Sequence, residues 1–210
     1  MRYWLGLGSN LGERATQMAE ALLRLVRGAK VRLLRVSSVY ETAPMGITEQ
    51  PVFLNMVVCV ETDAGPRELL ATCLATEAAM GRVRRERWGP RSIDLDLLSA
   101  DELTLCEPDL ELPHPRIGER QFVLVPLAEI APDFALADGR QAAGAARPGS
   151  PDVVCVGRLA EVVRREAIGR QVWQPSAASQ AEVLPAAGVP WTDGNRTRTR
   201  RHDERCSDTA

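Results

Sequence analysis

The order of hydrophobic patterns in the first hundred residues constrains the fold of this chain most. Apolar residues at helical spacing predict two amphipathic helices, one that ends at Gly28 and one that begins at Pro66 and ends at Gly81. Strand-like segments surround them at residues 2–7, 31–41, 52–61 and 92–99. The order β-α-β-β-α-β is typical of an α+β, ferredoxin-like fold, in which an antiparallel sheet carries two helices on one face.

Both predicted helices have an apolar stripe that should face the sheet. The stripes comprise Ala15, Met18, Ala19, Leu22, Leu23 and Val26 in the first helix, and Leu69, Leu70, Cys73, Leu74 and Met80 in the second. Residues 42–51 contain two prolines and a glycine, and the arginine-rich residues up to 91 have no clean periodicity. We therefore expect two loops at these positions.

The remaining residues predict fewer regular elements. Residues 103–106 are a candidate hairpin partner of the preceding strand, and the apolar residues 122–130 should be packed. We expect a domain core over residues 1–140 and an irregular C-terminal extension. In it, residues 141–170 form a peripheral segment with one short helix at 159–168, and residues 171–210 are a disordered tail.

Composition excludes several function classes. A net charge of -2 argues against a nucleic-acid-binding surface that covers the whole protein. The single lysine, Lys30, lies outside any P-loop motif, so phosphate must be held without a P-loop lysine. The 5 cysteines and 2 histidines have no zinc-binding spacing. Without a signal peptide or an apolar run of about 18 residues, we expect a cytoplasmic protein that does not bind membranes. We also expect a monomer.

The chemistry concentrates in residues 81–98. Asp94 and Asp96 alternate with apolar residues, so strand geometry directs both carboxylates to one face. The arginines that precede them are Arg82, Arg84, Arg85, Arg87 and Arg91. Because Mg²⁺ is held by carboxylates and substrate phosphates, and arginine binds phosphate oxygens well, this pattern predicts a metal-assisted phosphate site.

Three further features each have a structural and a functional interpretation. Residues 8–10 could bind phosphate through backbone N–H groups, but a tight turn and helix N-cap is the favoured role. His114, between two prolines, is either an ordinary loop side chain or a donor to phosphate. Phe53 and Asn55 share one strand face and either border the core or, with Phe122 opposite, bind a flat heterocycle.

Residues 87–98 closely resemble the signature of the 6-hydroxymethyl-7,8-dihydropterin pyrophosphokinase family of folate biosynthesis. Four other segments are similar in order and spacing, at residues 7–12, 37–44, 53–55 and 112–122. The resemblance covers about residues 3–139. It implies transfer of a pyrophosphoryl group from ATP to the hydroxymethyl oxygen of 6-hydroxymethyl-7,8-dihydropterin, with release of AMP and no nucleic-acid partner.

The resemblance also implies roles for individual residues. Asp94 and Asp96 would hold two Mg²⁺ ions and act in catalysis with Arg82 and Arg91. Glu77, Arg84, Trp88, Leu97, His114 and Arg120 would surround the nucleotide. Thr42, Pro44, Met45 and Asn55 would line the pterin pocket, with Phe53 and Phe122 on the two sides of the ring. The chain departs from the pattern of many family members at Ala43, Phe53, Leu74, Asp109 and Glu111.

Two other functions stay open on the residues alone. An Asp-x-Asp metal pair also serves nucleotidyltransferases, which would release pyrophosphate in place of AMP. A non-catalytic ferredoxin-like RNA-binding module is the other alternative, suggested by the sheet order and by the arginines of residues 196–205.

Overall fold

A computed structural model describes residues 1–28, 31–82, 89–101 and 103–172, with side chains as far as residue 168. The predictions for Arg84 and Trp88, and for residues 173–210 of the disordered tail predicted at 171–210, lie outside these described residues. Residues 171–172 are helical, so the predicted start of the tail is wrong. Within them, no helix is long and apolar enough to cross a membrane.

The described chain is organised around one antiparallel sheet. Its strands are β1 (Arg2–Ser9), β2 (Arg32–Val36), β3 (Val39–Thr42), β4 (Phe53–Glu61), β5 (Asp94–Ala100) and β8 (Val153–Gly157). They lie in the order β5-β1-β4-β3-β8, and β2 also pairs with β4. A separate hairpin joins β6 (Leu105–Glu107) and β7 (Leu110–Leu112). The pairing of β1 between β4 and β5 confirms the ferredoxin-like core.

Helices cover the two faces of this sheet. The helices are α1 (Arg14–Gly28), α2 (Pro66–Ala79), α3 (Gln121–Ile130), α4 (Ala142–Ala145) and α5 (Leu159–Val172). On one face, Leu5 and Leu7 of β1 share a core with residues of α1 and α2. On the other face, Val57 of β4 and Leu98 of β5 pack with Leu124 of α3. Strand alternation therefore divides the apolar residues between two layers.

The second face is where the candidate site residues lie. Because Val57 and Leu98 face α3, alternation places Asn55 and Phe53 of β4, and Asp96 and Asp94 of β5, on that same face. The side chains lie beside the start of α3, where Phe122 contributes to the wall of an open cavity. Among the described residues, this end of the face is thus left open to a ligand.

The continuous strand predicted at residues 31–41 is wrong, because two serines divide it into β2 and β3. The Ser37 backbone N donates to the carbonyl oxygen of Val57, and its hydroxyl accepts a hydrogen bond from the Val57 N, both at 3.0 Å. The Ser38 N and hydroxyl donate to the Glu129 carboxylate at 2.8 and 3.0 Å. Side-chain hydrogen bonds therefore replace the regular ladder at this point.

The predicted stripes of α1 and α2 are partly wrong. Leu23 and Val26 are 49% and 39% exposed, whereas Ala21 and Leu25 are buried in their place. In α2, Leu74 is 38% exposed and lines the cavity, and Glu77 is buried. The buried faces are therefore rotated about the helix axes relative to the predicted stripes, because the packing against the sheet selects which side of each helix is buried.

The described part of the C-terminal segment is more regular than predicted. The expected helix is present as α5, but strand β8, which pairs with β3, was not predicted. The predicted hairpin with β5 is reduced to a single bridge between Ala100 and Leu103, and β6 pairs with β7 instead. Residues 122–130 are packed, as predicted, and form most of α3.

Candidate active site

A cavity of about 1170 Å³ opens over the ends of β4 and β5. Thirteen of the sequence-predicted residues line it: Thr42, Met45, Phe53, Asn55, Glu77, Arg82, Arg91, Asp94, Asp96, Leu97, His114, Arg120 and Phe122. Pro44 lies in the adjacent loop but does not line the cavity, and Arg84 and Trp88 lie outside the described residues. The cavity therefore brings together side chains that are far apart in the sequence.

Two glycines of β1, here called the glycine floor, lie between β4 and β5, where Gly8 lines this cavity and Gly6 lines a small adjoining one. Gly8 pairs with Asp94 on one side and with Asn55 on the other, and Gly6 pairs with Asp96 and Val57. Because neither glycine has a side chain, the carboxylates of β5 and the amide of β4 face a shared open space. The favoured interpretation of Gly8 as part of a turn is wrong, since β1 continues to Ser9.

Arg82 connects two carboxylates at the side of the cavity. Its Nη1 donates to Glu77 Oε1 and to Asp94 Oδ1, both at 2.5 Å. Glu77 Oε1 also accepts a hydrogen bond from the Leu95 backbone N at 2.7 Å. Arg91 Nη1 lies 3.3 Å from Asp94 Oδ2. The end of α2 and the start of β5 are thus held together by charge-assisted hydrogen bonds.

Asp96 is less completely neutralised than Asp94. Its Oδ2 lies 3.7 Å from Arg120 Nη1. Although 41% of the Asp96 side chain faces the open cavity, burial by the surrounding walls raises its pKa to about 6, and the charge of Asp94 contributes further. A cation placed between the two carboxylates would reverse this effect, because it favours the ionised form of both.

The described residues do not form a complete metal-binding cage. No group of three or more His, Cys, Asp or Glu side chains within the described ranges could hold a metal ion. A cation bound by Asp94 and Asp96 would therefore take its other ligands from water or from a substrate. Mg²⁺ sites with one or two carboxylates and substrate phosphates have this composition.

Two aromatic rings that line the cavity each have an arginine over one face. The guanidinium of Arg91 lies 5.4 Å from the centre of the Phe53 ring, and that of Arg120 lies 5.7 Å from the centre of the Phe122 ring. Asn55 Nδ2 donates to the Thr42 hydroxyl at 2.7 Å. Two aromatic faces and a hydrogen-bonding amide suit a flat, polar heterocycle.

His114 presents a neutral imidazole at the cavity wall. Its Nδ1 accepts a hydrogen bond from the Arg116 backbone N at 3.1 Å. Burial lowers the pKa of His114 below its usual 6.5, and the positive charge of Arg120 lowers it further. With Nδ1 as an acceptor, the proton of the neutral ring lies on Nε2, which can donate to an anionic ligand.

Asn10 connects two segments at the edge of the site, and its role was not predicted. Its Nδ2 donates to Gln50 Oε1 at 3.0 Å and to the Pro51 carbonyl at 3.1 Å, and its Oδ1 accepts from the Arg91 N at 2.7 Å. The predicted N-cap is wrong, because α1 begins only at Arg14. Asn10 is 1% exposed, so these hydrogen bonds satisfy a buried amide, and no pattern in the sequence indicates its partners.

The part of the chain that is similar to known proteins includes the residues that line the cavity. Residues 4–132 match the family model described as 7,8-dihydro-6-hydroxymethylpterin-pyrophosphokinase. The chain is 47% identical over 135 residues to a 2-amino-4-hydroxy-6-hydroxymethyldihydropteridine pyrophosphokinase of Methylorubrum extorquens, a match that covers 64% of this chain and 85% of the relative. The enzyme of the same name from Pseudomonas aeruginosa is 45% identical over 139 residues, a match that covers 66% of this chain and 86% of that enzyme.

Other similar proteins are longer. A mitochondrial folate synthesis bifunctional protein of Pisum sativum is 44% identical over 126 residues, which cover 60% of this chain and 24% of that protein. The crystal structure of wild-type Plasmodium falciparum HPPK-DHPS with pteroate matches with a TM-score of 0.52 and 15% identity, and covers 81% of this chain and 43% of that one. The crystal structure of an HPPK-DHPS in complex with substrates matches with a TM-score of 0.53 and 13% identity. This match covers 69% of this chain and 44% of that one. These solved structures support the fold alone.

Proposed function

Because this chain belongs to the 7,8-dihydro-6-hydroxymethylpterin-pyrophosphokinase family, we propose that the cavity over β4 and β5 is its active site. The enzyme uses ATP to transfer a pyrophosphoryl group to the hydroxymethyl group of 6-hydroxymethyl-7,8-dihydropterin in folate biosynthesis, and releases AMP. The pair of Asp94 and Asp96 above the glycine floor, with arginines around it, is the observation that supports this placement most strongly. Family membership favours neither the nucleotidyltransferase nor the RNA-binding alternative.

The carboxylate pair fits Mg²⁺. Asp94 and Asp96 lie on one strand face, and the raised pKa of Asp96 indicates a carboxylate whose charge the protein itself compensates incompletely. We infer that these two residues hold Mg²⁺, in two ions as the family resemblance implies. Bound by Asp94 and Asp96, Mg²⁺ would supply neutralisation of the phosphate charge and help to orient the phosphates.

The arginines are placed to bind the phosphates of ATP. Arg82, Arg91 and Arg120 all point toward the carboxylates, so they surround the space that phosphates bound to a metal would occupy. Their planar guanidinium groups can form paired hydrogen bonds with phosphate oxygens. His114, which also lines the cavity, supplies a further neutral donor.

The aromatic end of the cavity is suited to the pterin ring. Phe53 and Phe122 would contact its two faces, and Asn55 with Thr42 would read its polar edge. Arg91 and Arg120 lie over these rings, so the bound heterocycle would move both guanidinium groups away from the rings. The reaction needs no protein nucleophile, because alignment of the two substrates and neutralisation of charge can provide most of the rate.

The identity of the second product tests this function. The full chain, incubated with ATP, Mg²⁺ and 6-hydroxymethyl-7,8-dihydropterin, is expected to release AMP in amounts equal to the pterin consumed, measured by ion-exchange chromatography. Release of pyrophosphate would instead support a nucleotidyltransferase. If neither AMP nor pyrophosphate forms faster than in a control without enzyme, both reactions are contradicted.

The glycine floor leads to a prediction about pterin binding. A Cβ at Gly8 would lie 3.0 Å from Asn55 Oδ1, closer than ordinary contact, whereas a Cβ at Gly6 would lie at least 3.6 Å from its neighbours. We expect Gly8→Ala to raise the KM for the dihydropterin about tenfold, because Asn55 must move, and Gly6→Ala to change it less. Steady-state kinetics compare the two. Equal values for both variants would contradict the role of Asn55.

Three expectations from the sequence remain predictions. They are a monomeric enzyme, the lack of a nucleic-acid partner and a cytoplasmic location.

A further inference from the structure

The C-terminal segment of β8 and α5 lies beyond residues 4–132 that match the family model, yet it contacts elements that form the site. Strand β8 pairs with β3, where Val153 lies opposite Thr42 and Cys155 lies opposite Tyr40. Val162 of α5 is 8% exposed and belongs to the same core as Leu5 and Leu7 of β1. The segment is therefore a packed part of the catalytic domain.

Glu166 of α5 binds the first turn of α1. Its Oε1 accepts a hydrogen bond from the Ala15 N at 2.8 Å. Its Oε2 accepts two more from Thr16, one from the N at 3.0 Å and one from the hydroxyl at 2.9 Å. The first N–H groups of a helix have no partner within the helix, and a carboxylate is the acceptor that suits them best.

The start of α1 and the residues just before it hold one end of the loop at residues 43–52. Arg14 Nη1 donates to the Val52 carbonyl at 2.9 Å, and its Nη2 lies 3.1 Å from Glu41 Oε2. Asn10 donates to Gln50 and to the Pro51 carbonyl. A shift of the start of α1 would therefore move the end of this loop.

The other end of the same loop is also supported by the C-terminal segment. The loop begins directly after Thr42, the last residue of β3, and β3 pairs with β4 on one side and with β8 on the other. The Thr42 hydroxyl accepts the hydrogen bond from Asn55. Ala43, Met45 and Gly46 of the loop line the cavity beside Phe53. Strand β8 thus supports the start of the loop, and Glu166 supports its end through α1.

We propose that Glu166 is a positioning residue for the pterin side of the active site, and that the β8–α5 segment holds both ends of the loop at residues 43–52. The carboxylate does not touch the substrates. It fixes the first turn of α1, and through Arg14 and Asn10 it fixes the loop wall that contacts the heterocycle. This inference rests on the proposed function, since it names the substrate whose binding depends on Glu166.

The test uses full-length variants in the AMP-release assay. We expect Glu166→Ala to raise the KM for the dihydropterin about fivefold, while the KM for ATP and kcat change less than about twofold. Glu166→Gln keeps one acceptor oxygen and should give an intermediate value. Glu161→Ala is the matched control, because it removes the same charge from the same helix, where Glu161 accepts from the Arg158 N.

Thermal unfolding separates positioning from general destabilisation. The proposal is overturned if Glu166→Ala lowers the Tm but leaves the KM for the dihydropterin equal to that of the wild type. It is also overturned if the KM for the dihydropterin and the KM for ATP rise equally. If Glu161→Ala raises the KM for the dihydropterin as much as Glu166→Ala does, the proposal is overturned as well. If the wild-type chain itself releases no AMP, the proposed function fails, which is distinct from failure of the role of Glu166.

Discussion

Asp94→Asn and Asp96→Asn are each expected to lower kcat for AMP formation by at least about a thousandfold. Both carboxylates face the cavity from β5, and Asp94 also binds Arg82 and Arg91. An amide keeps the size of the side chain but removes the negative charge that a divalent cation requires. The loss should therefore occur in the chemical step, with substrate binding reduced to a smaller extent.

Folding of these variants can be examined separately. Since burial and the charge of Asp94 oppose ionisation of Asp96, Asp96→Asn removes an unfavourable charge and should not lower the Tm at pH 7. A folded but inactive Asp96→Asn protein is the expected result, measured by thermal unfolding and by AMP release. Activity above about a tenth of wild type in either variant would contradict a metal-binding role for that residue.

Asp101→Asn is the matched control for these substitutions. Asp101 lies just after the end of β5 and pairs with Arg2, at 2.9 Å, on the surface. Its φ of 38° lies in the left-handed region, which asparagine adopts more readily than most residues. The variant should therefore fold and keep a kcat within about twofold of wild type, because surface ion pairs contribute little.

Local hydrophobic periodicity predicted the order of elements but not their exact faces. The alternation at residues 93–97 placed Asp94 and Asp96 correctly on one face of β5, because strand side chains alternate regardless of tertiary context. The helix stripes were less accurate. Leu74 is apolar and follows the helical period, but it borders the open cavity, so its neighbours decided its exposure.

The roles of Gly6, Gly8, Asn10 and Glu166 were not predicted, because they depend on contacts that are distant in the sequence. Gly6 and Gly8 contribute by having no side chain, which is apparent only once β4 and β5 are known to flank β1. Asn10 joins segments about forty and eighty positions away, and Glu166 reaches α1 over 150 positions. No local pattern encodes such pairings, so the prediction of the site was good for β-strand faces and poor for its supporting contacts.

Arg82→Ala is expected to lower kcat about a hundredfold and to destabilise the protein, for two separable reasons. Catalysis loses a cation that lies beside Asp94 and that we propose binds phosphate. Stability falls by about 3 kcal/mol, because Glu77, which is 3% exposed, loses a charged partner. The double variant Arg82→Ala with Glu77→Gln should recover much of the lost stability, since a neutral amide needs no cation, while kcat stays low.

Arg67→Ala, which removes an exposed arginine paired with Asp109 at 3.0 Å, is the control and should leave kcat within about twofold of wild type. Recovery of kcat together with stability in the double variant would show that Arg82 acts only by neutralising Glu77, and would contradict a phosphate-binding role.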